Sequence, residues 1–496
     1  MEVGIIGGGV GGMLTALLLA RRGARVTLYE GAGQLGGRLA FQEGNGFRID
    51  RGPTIVLLPE MLAGLLEEAG IDRSRMPLLE CDPLYDIHYA DGRVFTKWRG
   101  TDRQAAEIER LFPGESAGFR RYMEDMAPAF SEGREAVLER PFLRRSEFFT
   151  PRILRLLLRL KAYRSVKGLA SRYFRSEELQ DAFSLQSLYI GGAPFQSPSL
   201  YTLLPYAEHA FGVWYWKGGY AALSALLADE LEKQGVTVRL TTRIREILRE
   251  GKRCTGVKLH DGRTAEHEAI VYNGDFPHLP TLLPGFEAPR RKFTPSGGNV
   301  LVYLGVNKRW PQAKAHQFFL PKSLTAGLKQ SFLERLLPDD PSFYVFNPVA
   351  VDSGAAAETD SVLYLLSPVP STGTVNWEKE KEAYVDRLLT EAERRGFPGL
   401  KEAIRWIDVR TPDDAERDGL FQGGSFGIAP TLLQSGAFRP QFVPYPSLAN
   451  LYAVGASIHP GGGVPIVMQG ARLLAHHMTK EMALWKSEPA WQPAKP

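Results

Sequence analysis

Val3-Gly4-Ile5-Ile6 is a continuous apolar run ahead of a glycine-rich stretch, the pattern of a fully buried strand. Met13 to Arg22 is apolar at nearly every position and predicts a buried helix; Arg25 to Tyr29 predicts a second strand. Leu39 to Ile49 reads as a hairpin, Leu57 to Ala69 as a helix, and Tyr85 to Thr96 as a hairpin turning at Asp91-Gly92. Asp102 to Arg134 carries mixed charge and predicts solvated helices. A second α/β block comes much later: helix Tyr220 to Gln234, strands Val236 to Leu240 and Ile244 to Arg249, a hairpin at Asp261-Gly262, and strand Ala269 to Tyr272. Phe293 to Asn307, Ser342 to Pro348 and Ser361 to Pro368 predict an antiparallel sheet, and Glu378 to Arg395 a charged amphipathic helix. Leu451 to Val454 is a last short strand, with a helix from about Pro465 towards Met482. The class is α/β, with one domain interrupted by another.

Between the first strand and its helix stands Gly7-Gly8-Gly9-Val10-Gly11-Gly12, with Gly7, Gly9 and Gly12 in the G-x-G-x-x-G positions. Glu30 closes the second strand. Strand, glycine turn, helix, strand and acid in this order form a dinucleotide-binding fingerprint. Gly7 permits the tight turn, Gly9 lets backbone approach a pyrophosphate, and Gly12 lets helix and strand pack closely. The helix N-terminus offers N–H groups and a positive dipole end to phosphate, and Glu30 offers acceptors to a ribose diol. The fingerprint alone does not separate nicotinamide from flavin. A second doublet, Gly36-Gly37 before Arg38, exceeds what a nicotinamide domain needs; the plainer alternative is a Gly-rich loop with a solvated arginine. Gly455 to Val467 repeats the scheme of strand, glycine loop and helix start, with Pro465 near the first turn. Such a helix aims its positive end at a cofactor ring or phosphate. His459 in this loop is either a general base or a structural histidine.

A chain of 496 residues suits two or three domains. Cys81 and Cys254 fit neither a disulfide framework nor a metal site, and no leader precedes the first strand, so a reducing cytoplasm is expected. No apolar run approaches the ~18–20 residues of a spanning helix, so any membrane association is expected to be peripheral. Charge is concentrated rather than large. Residues 140–175 hold eleven Lys or Arg and one acid, Glu147, among many large apolar side chains. Thr150 is a fair N-cap and Pro151 a good first helical residue, and Arg152, Arg155 and Arg159 share one helical face. A basic amphipathic helix with an oversized apolar face suits an anionic membrane surface, or else packs as a cap on its own domain. No recognition motif accompanies the charge, which argues against nucleic acid. Phe183 to Tyr215 is aromatic and nearly uncharged, with Glu208 its only acid; it reads as a cavity lining or as core.

Taken together, the N-terminal fingerprint, Gly36-Gly37-Arg38, Gly46 to Thr54, Gln186 to Gly192, Pro198 to Tyr201, Phe211 to Trp214 and Gly455 to Val467 resemble the bacterial-type carotenoid desaturases. Asp340 to Val345 and Ser425 to Leu432 are most similar to the dehydrosqualene (4,4′-diapophytoene) desaturases, which act on C30 polyenes. Phytoene desaturases take the C40 analogue. A related branch oxidises the terminal methyl to an aldehyde, and carotene isomerases share the scaffold. The resemblance implies a Rossmann-like FAD-binding domain of the two-dinucleotide-binding-domain type (1–80, 216–285 and 441–486). It implies a mixed-sheet substrate domain (81–135 and 286–440), a helical membrane-associated cap carrying the substrate tunnel (136–215), and a tail (487–496). Gly7, Gly9, Gly12, Glu30, Gly37 and Arg38 would hold the ADP half of FAD, and Ile244 would meet the adenine through its backbone. Gly455 and Ala456 would touch the pyrophosphate or ribityl chain. Gly52, Pro53 and Thr54, with Val464, Pro465, Ile466 and Val467, would lie by the isoalloxazine. Arg51 departs from the uncharged residue usual before Gly-Pro-Thr.

The implied substrate has no ionisable group, so its binding must be apolar burial, at about 25 cal/mol per Å². Hydride removal leaves a delocalised allylic cation whose neighbouring C–H is acidic, so no strong base is required. This agrees with a sequence that offers no Ser-His-Asp set, carboxylate pair or metal cluster. His459, Glu208 and the Arg152 face are the candidates near the cation. Oxygen or a membrane quinone would accept the electrons. A flavin amine or porphyrinogen oxidase on the same scaffold is the other enzymatic reading.

Overall fold

The computed structural model describes residues 1–481; the expected tail, 487–496, lies outside the described residues. A five-stranded parallel sheet runs in the order Leu451–Ala453, Ala269–Tyr272, Glu2–Ile6, Arg25–Tyr29, Thr237–Arg239. Its strands are short and apolar because helices cover them. Helix Val10–Ala20 packs on the C-terminal helix Val464–Glu481, and Val3, Ile5, Leu14, Leu17, Leu28, Val271 and Leu474 are fully buried in one core. The strands Arg25–Tyr29 and Ala269–Tyr272 match the expected bounds. An antiparallel unit, Ile244–Glu250, Arg253–Leu259 and Thr264–Glu266, sits beside this sheet.

The second body is a seven-stranded sheet in the order Ile404–Arg410, Gly298–Val306, Ser361–Val369, Phe343–Phe346, His316–Phe319, Tyr85–His88, Val94–Lys97. All neighbours are antiparallel except His316–Phe319 beside Tyr85–His88, so the sheet is mixed. His316–Phe319 and Ile404–Arg410 were not expected as strands. The first is only four residues long, and the second breaks its apolar run with Arg405, Asp408 and Arg410.

Period two gives this sheet two unlike faces. Val302, Leu304, Leu363, Leu365 and Val345 pack on helix Trp377–Arg395 through Tyr384, Leu388 and Ala392. Tyr303, Tyr364, Tyr344, Phe346, Phe318 and Tyr85 share a core with the helical layer on the opposite side. That layer contains helices Thr101–Leu111, Ser116–Gly133, Pro151–Arg159, Val166–Ala170, Glu177–Ala182 and Leu203–Phe211. The expected solvated helices are solvated on one side only: Phe119, Tyr122 and Met126 are buried. Within 136–215 the aromatic stretch does not end as cap helix. Val213–Trp216 is a strand that pairs with Leu78–Cys81.

Thr150 caps helix Pro151–Arg159 by accepting from the Ile153 N–H at 3.3 Å, as the sequence predicts. The shared arginine face is free cation only in part. Arg152 bonds Glu135 at 2.7 Å and Arg159 bonds Glu132 at 3.1 Å, whereas Arg155 bonds only the Pro151 carbonyl, at 3.1 Å. The apolar face is indeed oversized. Ile153, Leu156 and Leu160 turn inward, while Leu154 and Leu158 stay exposed. No helix among the described residues is long and apolar enough to cross a membrane.

Candidate active site

The cradle starts where strand Glu2–Ile6 meets Gly7. A Cβ on Gly12 would stand 2.2 Å from the Gly7 carbonyl oxygen, so only glycine lets the helix start this close to the turn. Gly9 is the N-cap of helix Val10–Ala20 and is extended, with no side chain accepting from the first-turn N–H groups. Those donors remain for an anion. Glu30, half-buried, accepts from the Gly8 N–H at 2.7 Å and the Ala32 N–H at 2.8 Å. Its position is fixed, and lone pairs remain for a diol. Thr242 N–H bonds the Glu30 carbonyl at 2.7 Å, which brings the start of strand Ile244–Glu250 beside this acid.

The second doublet closes on the first. The Gly36 N–H bonds the Gly8 carbonyl at 2.9 Å, so Gly37 and Arg38 lie against the glycine turn. Arg38 donates to the Ser425 carbonyl. Desolvation lowers its pKa and the nearby Asp275 carboxylate works against that, yet the side chain keeps exposed surface. A guanidinium both crowded by protein and exposed lines an internal cleft. A Cβ on Gly52 would stand 2.6 Å from the Arg38 carbonyl oxygen, which fixes Gly52-Pro53-Thr54 along the same cleft. The side chain of Arg51, the departure noted above, pairs with Asp418 at 2.7 Å, and its backbone carbonyl accepts from the Tyr303 hydroxyl at 2.7 Å.

The C-terminal loop joins from the other side through residues to which sequence reasoning gave no role. Asn273 Nδ2 donates to the Gly7 carbonyl at 3.0 Å, and its Oδ1 faces Gly455. Ser457 donates to the Asp275 carboxylate, and the Ile428 N–H bonds Ser457 Oγ at 3.0 Å. Buried Arg439 donates to the Ala456 carbonyl. Val464, Pro465, Ile466 and Val467 form the first turn of the last helix. The available signal was the strand ending in Asn273-Gly274-Asp275 at the same sheet edge as Gly7 and Glu30.

The catalytic candidates lie in three separate places. His459 is buried, with Nε2 2.9 Å from the Arg140 carbonyl and 3.2 Å from that of Val137. Burial lowers its pKa to about 4, and the Arg439 charge adds to this against the two carbonyls. It is a neutral donor that ties residues 137–140 to the second glycine loop. Glu208 is buried in helix Leu203–Phe211. Arg152 lies on the surface in its ion pair.

Next to Thr54 the sheet supplies groups that the sequence had not marked. Thr54 Oγ1 lies 2.8 Å from the Tyr344 hydroxyl, which lies 2.6 Å from His316 Nδ1. Burial lowers His316 to about 3, so it too is neutral. Tyr344 stood in the Asp340 to Val345 motif without a role. From it the rings continue: Phe318 is 5.0 Å from Tyr344, and Tyr85 is 5.0 Å from Phe318. Leu301 and Leu366 pair across two central strands on this face and are only half-buried, so apolar surface remains there.

Two glycine loops far apart in the sequence, joined at Asn273 beside an aromatic face, define a dinucleotide-binding oxidoreductase with an inserted mixed-sheet body. The chain belongs to the flavin-containing amine oxidoreductase family, whose model matches residues 10–478. A 4,4′-diapolycopen-4-al dehydrogenase of Metabacillus indicus is 46% identical over 97% of this chain and 98% of its own length. A 4,4′-diapophytoene desaturase (4,4′-diaponeurosporene-forming) of Staphylococcus haemolyticus is 30% identical over 97% of this chain and 99% of its own. An oxidoreductase from Methanosarcina mazei shares the fold, with a TM-score of 0.67 at 15% identity over 96% of this chain and all of its own. The open first-turn N–H groups and the cleft-facing Arg38 fit a bound dinucleotide. FAD is the cofactor, and the chain is an FAD-dependent oxidoreductase.

Proposed function

We propose that this enzyme desaturates a linear polyene, a C30 chain of the 4,4′-diapophytoene type ahead of C40 phytoene. One observation carries the reading: the cradle adjoins, at Thr54, a broad aromatic sheet face on which Leu301 and Leu366 stay only half-buried. An amine substrate would call for an ionised carboxylate among these rings, whereas a polyene needs only apolar area. Bound FAD supplies an acceptor for hydride from an allylic carbon. The chain does the rest by orienting the polyene along Tyr344, Phe318 and Tyr303, excluding water, and offering ring faces to the allylic cation. His459 and His316, both neutral, fit a reaction in which the cation's own acidity drives proton loss.

The 46% relative favours a second reading on the same C30 chain, oxidation at the terminal carbon. Incubation with C30 hydrocarbon, C40 hydrocarbon and C30 aldehyde in liposomes, followed by product analysis, separates them. New visible bands from the hydrocarbons support desaturation. Turnover of the aldehyde alone supports terminal oxidation, and no change in any polyene refutes both. Oxygen or a membrane quinone is the electron acceptor of this reading.

Substrate of this kind resides in lipid, and the 140–175 segment is the membrane-facing part of the reading. Leu158 is 67% exposed and Leu154 42%, with Leu143 and Phe149 nearby in sequence. Phe149 contacts Phe438, which brings in the segment that carries Leu433, also 67% exposed. With Arg152 and Arg159 ion-paired, apolar contact carries more of the docking than charge.

A further inference from the structure

Among the exposed apolar side chains of the docking face stand two guanidiniums that no acid meets. Phe438, closing the turn Gly436–Phe438, brings them together. Arg145 Cζ lies 5.6 Å from the centre of the Phe438 ring, and Arg291 Nη2 donates to the Phe438 carbonyl. Arg291 Nη2 also donates to the Leu433 carbonyl at 2.9 Å, and its Cζ lies 4.8 Å from the centre of the Phe293 ring. Its Nε and Nη1 bond nothing among the described residues, and neither does the Arg145 guanidinium. Glu147, the one acid of residues 140–175, accepts from the Arg144 N–H at 3.3 Å instead. Both arginines are exposed, and so are their neighbours. Leu433 is 67%, Leu432 52% and Phe149 44% exposed, and the Phe149 ring is 6.1 Å from that of Phe438.

Two cations held on one residue repel each other, and such a pair without a counter-charge is kept at a cost. Burial lowers the pKa of Arg291 and the Arg145 charge lowers it further, with no carboxylate working the other way. A surface that only had to cover Phe438 would place an acid or an amide there. The unmatched charge of this region is therefore here more than on helix Pro151–Arg159, where Glu135 and Glu132 hold two of the three arginines. Arginine forks match the paired oxygens of a phosphodiester, and two forks hold one such group from two sides. A soluble anion would satisfy the arginines and leave Leu432, Leu433 and Phe149 in water. A lipid satisfies both, since its phosphate lies just outside the acyl boundary that apolar side chains enter by ~5–10 Å.

We infer that Arg145 and Arg291 form a seat for the phosphodiester of an anionic lipid, occupied as Leu432, Leu433 and Phe149 enter the outer edge of the acyl layer. The inference rests on the membrane-facing part of the reading above and names the lipid group which that part recognises.

The test uses FAD-loaded, full-length protein sedimented with vesicles of phosphatidylcholine, alone or mixed with phosphatidylglycerol, in chloride at constant ionic strength. The wild type is expected to bind the mixed vesicles at least tenfold more tightly. Arg145→Gln should lose at least tenfold on the mixed vesicles and nothing on phosphatidylcholine, with Arg145→Lys recovering only part of the loss because an ammonium lacks the fork. Arg155→Gln, which removes an equally exposed cation from the neighbouring helix, should lose about fivefold or less, the share of one unspecific charge. Equal losses in Arg145→Gln and Arg155→Gln, or full rescue by Arg145→Lys, overturn the seat in favour of diffuse charge. A wild type that sediments equally with both vesicles overturns the seat and leaves apolar docking in place. One that sediments with neither refutes the membrane-facing reading itself. Arg145-dependent binding of inorganic phosphate without vesicles, read by titration calorimetry, overturns the lipid as occupant. Arg145-dependent docking without turnover of any polyene refutes the desaturase reading and supports the seat.

Discussion

Glu68 is the point at which the cofactor domain is bolted together. It ends helix Pro59–Glu68, accepts from Arg22 at 3.0 Å and His476 at 2.7 Å, and forms an ion pair with Arg472 at 2.7 Å. Arg22 follows the fingerprint helix, and the other two belong to the last helix. The carboxylate thus links both helices that start at glycine loops. Burial alone would raise its pKa from 4.5, but the His476 hydrogen bond and the charges of Arg472, His476 and Arg22 override this and lower it to about 2. At ~1.4 kcal/mol per tenfold, that difference stabilises the folded state by roughly 3 kcal/mol at neutral pH. The folded pKa lies below the unfolded one. The contribution is therefore complete above about pH 4.5 and fades as pH falls toward 2. Glu68→Gln keeps the shape and removes the charge. At ~2–4 °C per kcal/mol the variant should release its flavin roughly 6–12 °C earlier at pH 7. The assay is flavin fluorescence of the holoenzyme during a thermal ramp. The gap between wild type and variant should narrow below pH 4.5 and be about halved near pH 3. A variant that melts within 1 °C of wild type at pH 7 would refute the reasoning, as would a gap that stays constant down to pH 3.

Gly12→Ala forces a Cβ against the Gly7 carbonyl and should lower flavin retained per polypeptide more than tenfold, read from the absorbance ratio after desalting. Tyr344→Phe leaves Thr54 and His316 without their shared partner and should cost about 1–3 kcal/mol in urea unfolding, with a shifted flavin spectrum if Thr54 lies by the ring. Burial raises the Asp50 carboxyl to about 7 against the N–H groups of Ala221 and Tyr220, so its cost to folding grows as pH rises from 3.8 and levels off above about 7. Asp50→Asn should therefore raise the melting temperature more at pH 8 than at pH 5; an equal change at both would count against it. Leu154→Glu with Leu158→Glu should cut sedimentation with anionic vesicles at least fivefold. Arg152→Glu with Arg159→Glu should instead destabilise the cap, by setting new acids against Glu132 and Glu135.

What could be read in advance was local. The first glycine turn, Glu30, the second doublet and the last loop are each contained in a few consecutive residues. Their chemistry is written in glycine spacing and in the strand that precedes them. What was hidden depends on partners far along the chain. Asn273 matters only because its strand lies beside Glu2–Ile6, and Tyr344 only because its face meets Thr54. Helical spacing put Arg152, Arg155 and Arg159 on one face, but periodicity within a segment cannot reveal that Glu132 and Glu135 of the preceding segment neutralise Arg152 and Arg159. Likewise, composition marked 183–215 as nearly uncharged, with Glu208 its only acid. Only its folding against Tyr85 and Lys97 makes Glu208 part of a polar cluster rather than an isolated acid.

The central sheet takes its outermost strand, Leu451–Ala453, from close to the far terminus. Until that strand has left the ribosome, a nascent chain carries an open edge at Ala269–Tyr272 and half a phosphate nest. Open edges recruit other polypeptides, and non-local closure is slow. A ligand that binds only the closed form draws the equilibrium toward it. Flavin present during expression is then expected to raise the yield of native enzyme.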